Sequence, residues 1–409
     1  MSAIVYPLSA LDFLLPYLFL VLVIFYVFGR RSERKAIIQT THSVSSEHAR
    51  GKSLFHANKD ASESSVLPEP TPLHDFDLQS AKTRDYLFVN KTLRYPYHQT
   101  MAHQPMNIND WLEISSQYEH YLQTKKEVIA EHGAKVLDSL PENDAACTEL
   151  LETVADYLDK RYPALFERLL LGEKNGIHNC ITGETMEWST AETPTGVEAL
   201  RFVSRLTECD FLMANEREDG HVYFTGGLVA LPGSYLLSEK LGQRMSEVHG
   251  PVPQFNDKLL LSVERTLKRM LPSAPFERSS WAIVDDRNLF WHNIASLSPG
   301  EEITVPPSEL LLRIDRQTFL RLPRTKAIIF GVHPLLRPMS ELASIPLIPS
   351  LLLRVLTESN RDMLEYKSIV RYERTLVPWL REVEAEQVRS GRISGTEDVR
   401  RFRDYNHTL

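Results

Sequence analysis

An uninterrupted apolar segment near the N-terminus constrains this chain more than any other feature. No charged residue occurs between Phe13 and Phe28, and with its flanks, which include Asp12, the segment extends from Ala10 to Gly29. About twenty residues of α-helix measure roughly 30 Å, which is the thickness of the hydrocarbon core of a bilayer. We therefore expect one N-terminal transmembrane helix and assign residues 1–31 to a membrane anchor.

The charges that flank this segment are asymmetric. No lysine or arginine precedes it, whereas Arg30, Arg31, Arg34 and Lys35 follow it closely. A cleaved signal peptide needs a basic region before its apolar core and small residues at the cleavage site, and this chain has neither. The positive-inside rule places the remainder in the cytosol. We expect a single-pass protein of the endoplasmic reticulum membrane with its domain facing the cytosol.

The composition changes twice after the anchor. Residues 32–75 are rich in Ser, Thr, His, Glu and Pro and have few apolar residues, so we expect a disordered tether there. Residues 76–409 have the apolar content of one folded domain. The formal charge of −8 argues against nucleic acid as a partner, because phosphate-backbone binding needs a basic face. Three cysteines without paired spacing exclude a disulfide framework and a cysteine-rich zinc site.

The pattern of apolar residues in the domain predicts an α+β fold. Helical spacing occurs first, and short apolar strands interrupted by helices follow it, which is not the alternation of βαβ units. The predicted helices are Trp111–Ala130, Asp144–Leu171, Tyr235–Val248, Phe255–Met270, Pro349–Leu356 and Asp362–Val383. The predicted strands include Phe211–Met213, His221–Thr225, Trp281–Val284, Leu310–Gln317 and Ala327–Val332.

One segment with chemical potential is the turn at His249. This residue follows the predicted helix Tyr235–Val248 and opens the sequence Gly-Pro-Val-Pro, which cannot be helical because the prolines lack an amide hydrogen. A histidine restricted in this way suits an iron ligand. A histidine that only caps a helix has the same sequence pattern, so the residues alone leave both interpretations open.

The other segment is Leu312–Pro323, which places arginines among apolar residues. In a strand, Arg313, Asp315 and Gln317 lie on one face. Arg316 lies on the opposite face. A guanidinium among apolar side chains is costly unless it pairs with an anion such as a carboxylate, a phosphate or a propionate. A ladder of surface salt bridges is the alternative.

Together these segments resemble the signature stretches of the haem-dependent oxidative N-demethylase alpha-subunit-like family, which includes fungal members termed HRQ proteins. The resemblance implies a PAS-like antiparallel sheet with flanking helices that binds haem b. It also implies oxidation of a small amine to the demethylated amine and formaldehyde, with electrons from an external flavin and iron–sulfur reductase. The matching elements span about Asp85 to Leu380: Trp111, Tyr118, Leu237–Gly242, His249–Pro253, Trp281, Arg313–Thr318, Arg321–Pro323 and Tyr366–Lys367.

This resemblance assigns cofactor-binding roles to four residues. We expect His249 to be the axial ligand of the haem iron. Arg313 and Arg316 are expected to pair with the haem propionates. Trp281 is expected to pack on the porphyrin, with an ordinary core tryptophan as the alternative. His221, His292 and His333 also lie beside predicted strands and stay alternative iron ligands.

Catalytic roles follow in the same way. Arg316 and Gln317 are expected to line the pocket, where the glutamine amide donates to bound oxygen or to substrate. Glu208 or Asp210 is expected to hold the ammonium of the amine, although Cys209 interrupts the acidic pair that is usual in the family. Two other functions stay open: a non-catalytic PAS-like haem sensor, and a membrane-tethered interaction protein without haem.

Overall fold

The computed structural model describes residues 65–405, except for residues 90, 173 and 293–296. The predicted anchor and residues 32–64 of the predicted tether therefore lie outside the described residues. Within these described ranges, no helix combines the length and the apolar character that a bilayer crossing requires.

The strands form two sheets. They are β1 (Gln104–Pro105), β2 (Leu137–Ser139), β3 (Phe166–Leu171), β4 (Lys174–Asn179), β5 (Glu184–Ser189), β6 (Asp210–Glu216), β7 (Val222–Leu228), β8 (Phe276–Val284), β9 (Leu311–Arg321) and β10 (Ile328–Pro338). The main sheet is antiparallel throughout, with the strand order β1-β8-β9-β10-β6-β7-β2. A smaller antiparallel sheet has the order β3-β4-β5.

Helices precede, interrupt and follow the main sheet, as the α+β class requires. They are α1 (Tyr86–Val89), α2 (Tyr118–His132), α3 (Asp144–Arg161), α4 (Gly196–Ser204), α5 (Met245–Val248), α6 (Leu260–Arg269), α7 (Met339–Ala343), α8 (Ile348–Glu358), α9 (Arg361–Tyr366) and α10 (Glu373–Arg389). The α+β prediction is confirmed, and the PAS-like topology stays a prediction.

Burial alternates along β8 and β9, so the two faces of the sheet differ there. One side is buried, and we call it the inner face. The other side is half-buried, and we call it the cleft face. The inner face carries Glu277, Ser279, Trp281, Ile314, Arg316 and Thr318, and the cleft face carries Arg278, Ser280, Asp315, Gln317 and Phe319.

Different parts of the chain cover the two faces. Helices α2 to α4 and α7 to α10 bury their apolar sides against the inner face in two clusters. The segment 229–270 packs instead over the cleft face, where Val252 and Phe255 join Phe276 and Val332 in a smaller apolar cluster. The cleft face stays only half-buried under this segment.

Two predicted helices differ from the structure, and some strands were not predicted. The predicted helix Asp144–Leu171 is too long. Helix α3 ends at Arg161 with Tyr162 as its C-cap, and Phe166–Leu171 is a strand. Strands β4 and β5 were not predicted. The predicted helix Tyr235–Val248 is mostly turn, with helical conformation only at Leu237–Glu239 and Met245–Val248.

The last residues of the predicted tether contact the domain. The amide of Leu73 donates to the carbonyl of Arg161 at 2.8 Å, and Lys160 Nζ pairs with Glu69 at 2.8 Å. These contacts attach residues in the range 69–73 to the C-terminal end of α3. The structured region therefore begins ahead of residue 76.

Candidate functional site

His249 lies at the end of α5, where the chain turns away from the helix. Its carbonyl accepts from the amide of Val252 at 2.9 Å, and its ring stacks on Phe255 with 4.4 Å between ring centroids. The predicted turn is confirmed. The two prolines of this turn prevent the helix from continuing.

The protonation state of His249 follows from its contacts. Its Nδ1 lies 3.1 Å from the carbonyl of Met245, and because a carbonyl can only accept, Nδ1 carries the hydrogen. Burial lowers the pKa of His249 to about 4, so the ring is neutral at neutral pH. Its Nε2 therefore has a lone pair, and this atom has no hydrogen-bond partner among the described residues. This is the state in which histidine ligates a metal.

Arg278 is a cation without a counter-anion on the cleft face. Its Nε is buried and has no hydrogen-bond partner, and no ion pair joins its guanidinium to the described part of the chain. Burial lowers its pKa to about 10, and neighbouring Arg94 acts in the same direction. Its charge also lowers the pKa of His249. A half-buried guanidinium in this condition is suited to bind an anionic ligand.

Arg94 is a second guanidinium near the cleft face that has neutral hydrogen-bond acceptors and no carboxylate partner among the described residues. It donates to the carbonyl of Lys91 at 2.9 Å and to the carbonyl of His98, which are neutral acceptors. Burial lowers its pKa. No carboxylate pairs with it in the residues that the structure describes. It borders a pocket of about 520 Å³ that is lined by Lys91, Arg94, His98, Thr100, Met101, Ala102 and His103.

An aromatic row lies on the cleft face beside these cations. The rings of Phe276 and Phe319 stack with centroids 4.8 Å apart, and those of Phe319 and Phe330 repeat this distance. Arg278 and Gln317 are direct partners across β8 and β9, two positions along the register from the Phe276–Phe319 pair and on the same face. The face therefore offers an apolar surface next to two unpaired guanidinium groups.

Arg313 has a protein partner for each of its nitrogen atoms. Nε donates to Asp315 at 2.8 Å, Nη2 donates to the carbonyl of Leu231 at 2.6 Å, and Nη1 lies 3.0 Å from His292 Nε2. Gly233 approaches so closely that a Cβ on it would lie 2.5 Å from Nη1. These contacts hold the loops before and after β8 against β9. The pairing of Arg313 with a propionate stays a prediction.

Arg316 lies on the inner face, away from the cleft face. Its Nε and Nη2 donate to Glu277 at 2.9 and 2.7 Å, and Nη1 donates to the carbonyl of Trp111 at 3.2 Å. Arg84 joins the same cluster through Glu277 and Glu113. The surface-ladder alternative is wrong for Arg316, which is 1% exposed. Its geometry favours a structural role over contact with haem or substrate.

Glu208 is fully enclosed. Its carboxylate accepts from the amide of Ser115 at 2.6 Å, from Ser115 Oγ at 3.0 Å, and lies 3.1 Å from His333 Nε2. Asp210 accepts from the amide of Leu231 at 2.6 Å and lies 3.6 Å from Lys125 Nζ. Burial raises the pKa of Asp210. Neither carboxylate presents a free, accessible oxygen, so their role in holding an ammonium stays a prediction.

Trp281 lies on the inner face within the second apolar cluster. Its ring meets Tyr97 edge to face at 5.3 Å, and Lys367 Nζ lies 4.7 Å from its centroid. Because it points to the side opposite Arg278, its geometry favours the alternative of an ordinary core tryptophan.

Two of the other candidate histidines, His292 and His333, lack the free nitrogen of His249, and His221 is more exposed. His292 contacts Asp286 through Nδ1 and Arg313 through Nε2. His333 borders a pocket of about 490 Å³, but Tyr86 occupies its Nδ1 and Glu208 its Nε2. His221 is 44% exposed and lies 3.5 Å from Glu264. Across the described ranges, no group of three or more His, Cys, Asp or Glu side chains is placed to hold a metal ion.

Sequence reasoning missed Arg278 and Arg94. Arg278 lies in Phe276–Trp281, whose four central residues are all polar, so the alternating burial seen in the strand has no counterpart in the sequence pattern. Arg94 lies in irregular chain and carries no comparable signal. The inner and cleft faces could be separated by residue parity, but the segment that covers each face depends on tertiary packing.

A comparison with protein families matches most of the folded region to one family. The family model described as haem-dependent oxidative N-demethylase, alpha subunit-like, matches residues 102–377, which is more than half of the chain. The match contains His249, Arg278, Asp315 and Gln317, and Arg94 lies just ahead of it. The chain therefore belongs to the haem-dependent oxidative N-demethylase alpha-subunit-like family.

Proposed function

We propose that this chain binds haem b between the cleft face and the segment 229–270, and that it oxidises a small amine by N-demethylation. The observation that carries this proposal is the neutral His249, with a free Nε2, within electrostatic reach of the unpaired Arg278. Haem needs one imidazole for its iron, cations for its two carboxylates and an apolar surface for its ring, and these residues supply all three.

Each residue has a defined task in this proposal. His249 Nε2 ligates the iron while Met245 fixes the orientation of the ring through Nδ1. Arg94 and Arg278 hold the propionates. Phe319 and its stacked neighbours contact the porphyrin. The fit rests on the buried, unpartnered Nε of Arg278, which an anion would satisfy.

Bound haem supplies dioxygen reduction and oxidation of the N-methyl carbon. The balanced reaction consumes the methylated amine, dioxygen, two electrons and two protons, and it yields the demethylated amine, formaldehyde and water. Gln317 Nε2 donates to Ser280 Oγ at 3.2 Å, which orients its amide on the cleft face. The carbonyl oxygen of that amide is left to accept from substrate.

We further propose that the electrons come from an external flavin and iron–sulfur reductase. The predicted anchor over residues 10–29 would hold the domain at the cytosolic side of the endoplasmic reticulum beside such donors. The PAS-like topology belongs to the same proposal, because PAS-like sheets bind ligands on one face under a short helical segment.

Turnover by the haem-reconstituted full-length chain tests this function. With photoreduced flavin as electron donor and dimethylamine as substrate, we expect a Soret band, amine-dependent oxygen uptake and an equal amount of formaldehyde. A Soret band without amine-dependent oxygen uptake would indicate a haem sensor instead. Absence of the Soret band after reconstitution would contradict haem binding altogether.

A further inference from the structure

We propose that a cavity beside the inner face binds a small organic phosphate monoester. The cavity has a volume of about 490 Å³ and lies between the segment 81–85, the start of α2 and the end of β10. It contacts the sheet at His333, whose register partner Arg316 lies on the inner face. The proposed haem site lies on the opposite face, so this inference does not rest on the proposed function.

One cation of the cavity wall engages both carboxylates that line the cavity. Arg337 Nη1 pairs with Asp85 at 2.5 Å, and Nη2 pairs with Glu341 at 2.6 Å. Within the described part of the chain, no other carboxylate lines this cavity. A second cation, Arg84, is neutralised from behind the wall, where Glu113 accepts from its Nε at 2.6 Å. The charges of these five residues therefore need no ligand.

Two further cations line the same cavity without a counter-anion. Lys82 lies in the segment 81–85, and Arg287 follows β8. Neither side chain has an ion pair or a hydrogen bond with any residue that the structure describes. The cavity thus has two surplus positive charges in a chain whose formal net charge is −8. A phosphate monoester, with a charge of about −1.5 to −2 at neutral pH, matches this surplus.

Neutral donors line the cavity beside these cations. The side chains of Thr83, Ser116 and Gln117 face it and have no hydrogen-bond partner in the ranges that the structure describes. The amide of Ser116 donates to the carbonyl of Ala81 at 3.0 Å, which attaches the start of α2 to the segment 81–85. Hydroxyl and amide hydrogens are donors that phosphate oxygens accept. The donors are therefore held on walls that are already joined.

The cavity also has an apolar side, which indicates that the ligand is larger than inorganic phosphate. This side consists of Tyr121, Leu289, Leu335 and Leu336. The hydroxyl of Tyr121 donates to the carbonyl of Pro334 at 2.7 Å, so its ring is fixed against β10. Cavities that bind organic molecules usually measure about 300–1,000 Å³, and this one lies in that range. An organic group on the phosphate would contact the apolar side.

The experiment is calorimetric titration of the full-length chain with phenyl phosphate at constant ionic strength and about pH 8, where the monoester is a dianion. We expect the wild-type chain to bind. We expect Lys82→Gln and Arg287→Gln each to bind about fivefold more weakly, and the double variant at least about tenfold more weakly, because each loses a charge-assisted contact. Circular dichroism verifies that each variant is folded.

Two controls remove the same charges outside the cavity. Lys126→Gln on α2 and Arg265→Gln on α6 alter exposed side chains that do not line it, so the affinity for phenyl phosphate should stay unchanged. Inorganic phosphate, titrated in parallel, should bind at least about tenfold more weakly than phenyl phosphate, because it has no group for the apolar side. Haem reconstitution should leave the affinity for phenyl phosphate unchanged.

The outcomes that would overturn the site are distinct. Absence of phenyl phosphate binding to the wild-type chain, or equal affinity of the wild type and the double variant, would remove the phosphate site. Equal affinities for inorganic phosphate and phenyl phosphate would refute the organic ligand. Loss of phenyl phosphate binding after haem reconstitution would contradict its position on the side of the sheet opposite the haem.

Discussion

The Nδ1 atom of His249 donates to the carbonyl of Met245 at 3.1 Å, and this contact determines what the rest of the ring can do. It commits the only hydrogen of the neutral imidazole to Nδ1, which leaves Nε2 as an acceptor. In the described residues, His292 and His333 use both ring nitrogens in protein contacts. His249 is therefore better suited than these two histidines to ligate iron.

The pH dependence of haem ligation is the first prediction. Burial lowers the pKa of His249 to about 4 from its ordinary value of 6.5, so protons compete for Nε2 only in acid solution. We expect the Soret band of the reconstituted chain to be constant from about pH 8 to about pH 5 and to change as the pH falls toward 4. A spectral transition centred near pH 6.5, with the fold intact by circular dichroism, would contradict this assignment.

The second prediction concerns Arg278. Replacement by glutamine removes the charge that we propose for a propionate, and charge-assisted hydrogen bonds contribute about 1.5–3 kcal/mol. We expect Arg278→Gln to bind haem at least about tenfold more weakly, measured as the rate of haem transfer to apomyoglobin. Arg265→Gln, at an exposed position of α6, is the control and should leave the transfer rate unchanged. Equal rates in the two variants would remove Arg278 from the site.

The third prediction compares two glycines with the same backbone conformation. Gly233 and Gly242 both have φ +79°, but a Cβ on Gly233 would lie 2.5 Å from Arg313 Nη1, whereas nothing lies within 4 Å of one on Gly242. We expect Gly242→Ala to lower the free energy of unfolding by about 1 kcal/mol through backbone strain alone. Gly233→Ala should cost about 2 kcal/mol more, because Arg313 must move. Urea unfolding measures both, and similar losses would argue against the tight packing around Arg313.

The fourth prediction concerns Arg316, whose contact with haem or substrate stays a prediction. Its guanidinium is buried against Glu277 and the carbonyl of Trp111. Arg316→Ala therefore removes a positive charge that neutralises the buried carboxylate of Glu277. We expect a loss of about 3 kcal/mol in the free energy of unfolding, and haem loss only as the chain unfolds. Arg389→Ala, which breaks an exposed pair with Glu386, should cost less than about 0.5 kcal/mol. A stable Arg316→Ala chain that fails to retain haem would restore the sequence-based role.

The fifth prediction concerns the apolar segment outside the described residues. If residues 10–29 span a membrane, alkaline carbonate extraction leaves the full-length chain in the membrane fraction. A variant with Leu20→Arg and Val23→Arg should be released, because charges at the centre of the bilayer are costly. Release of the wild-type chain would contradict the anchor. The N-glycosylation sequons at Asn90 and Asn406 report its orientation, because an endoglycosidase-sensitive mass shift at either one would contradict a cytosolic domain.

The fold was predictable to the level of its class and its strand faces. The order of helical and strand patterns predicted an α+β fold, and the parity of Arg313, Asp315 and Gln317 against Arg316 predicted which of them share a face, as the register confirms. The boundary at Tyr162 was missed because the apolar residues of Phe166–Leu171 continue a helical spacing. Local pattern alone cannot distinguish such a strand from one more turn of helix.

The site was less predictable than the fold. The turn after His249 is encoded locally by two prolines and was predicted. The partners of Arg313 and Glu208 come from loops distant in the sequence, so whether these charges were free or already paired could not be read from their own segments. Arg278 was missed for the same reason, since its significance lies in a missing partner.

Absorption spectroscopy of the His249→Ala variant tests whether His249 ligates the haem iron. We expect the reconstituted variant to lose the wild-type Soret band and added imidazole to restore it, because free imidazole replaces the missing Nε2. His74→Ala, at an exposed histidine outside the proposed haem site, should keep the wild-type spectrum. An unchanged Soret band in His249→Ala, or its loss in His74→Ala instead, would contradict ligation of haem by His249.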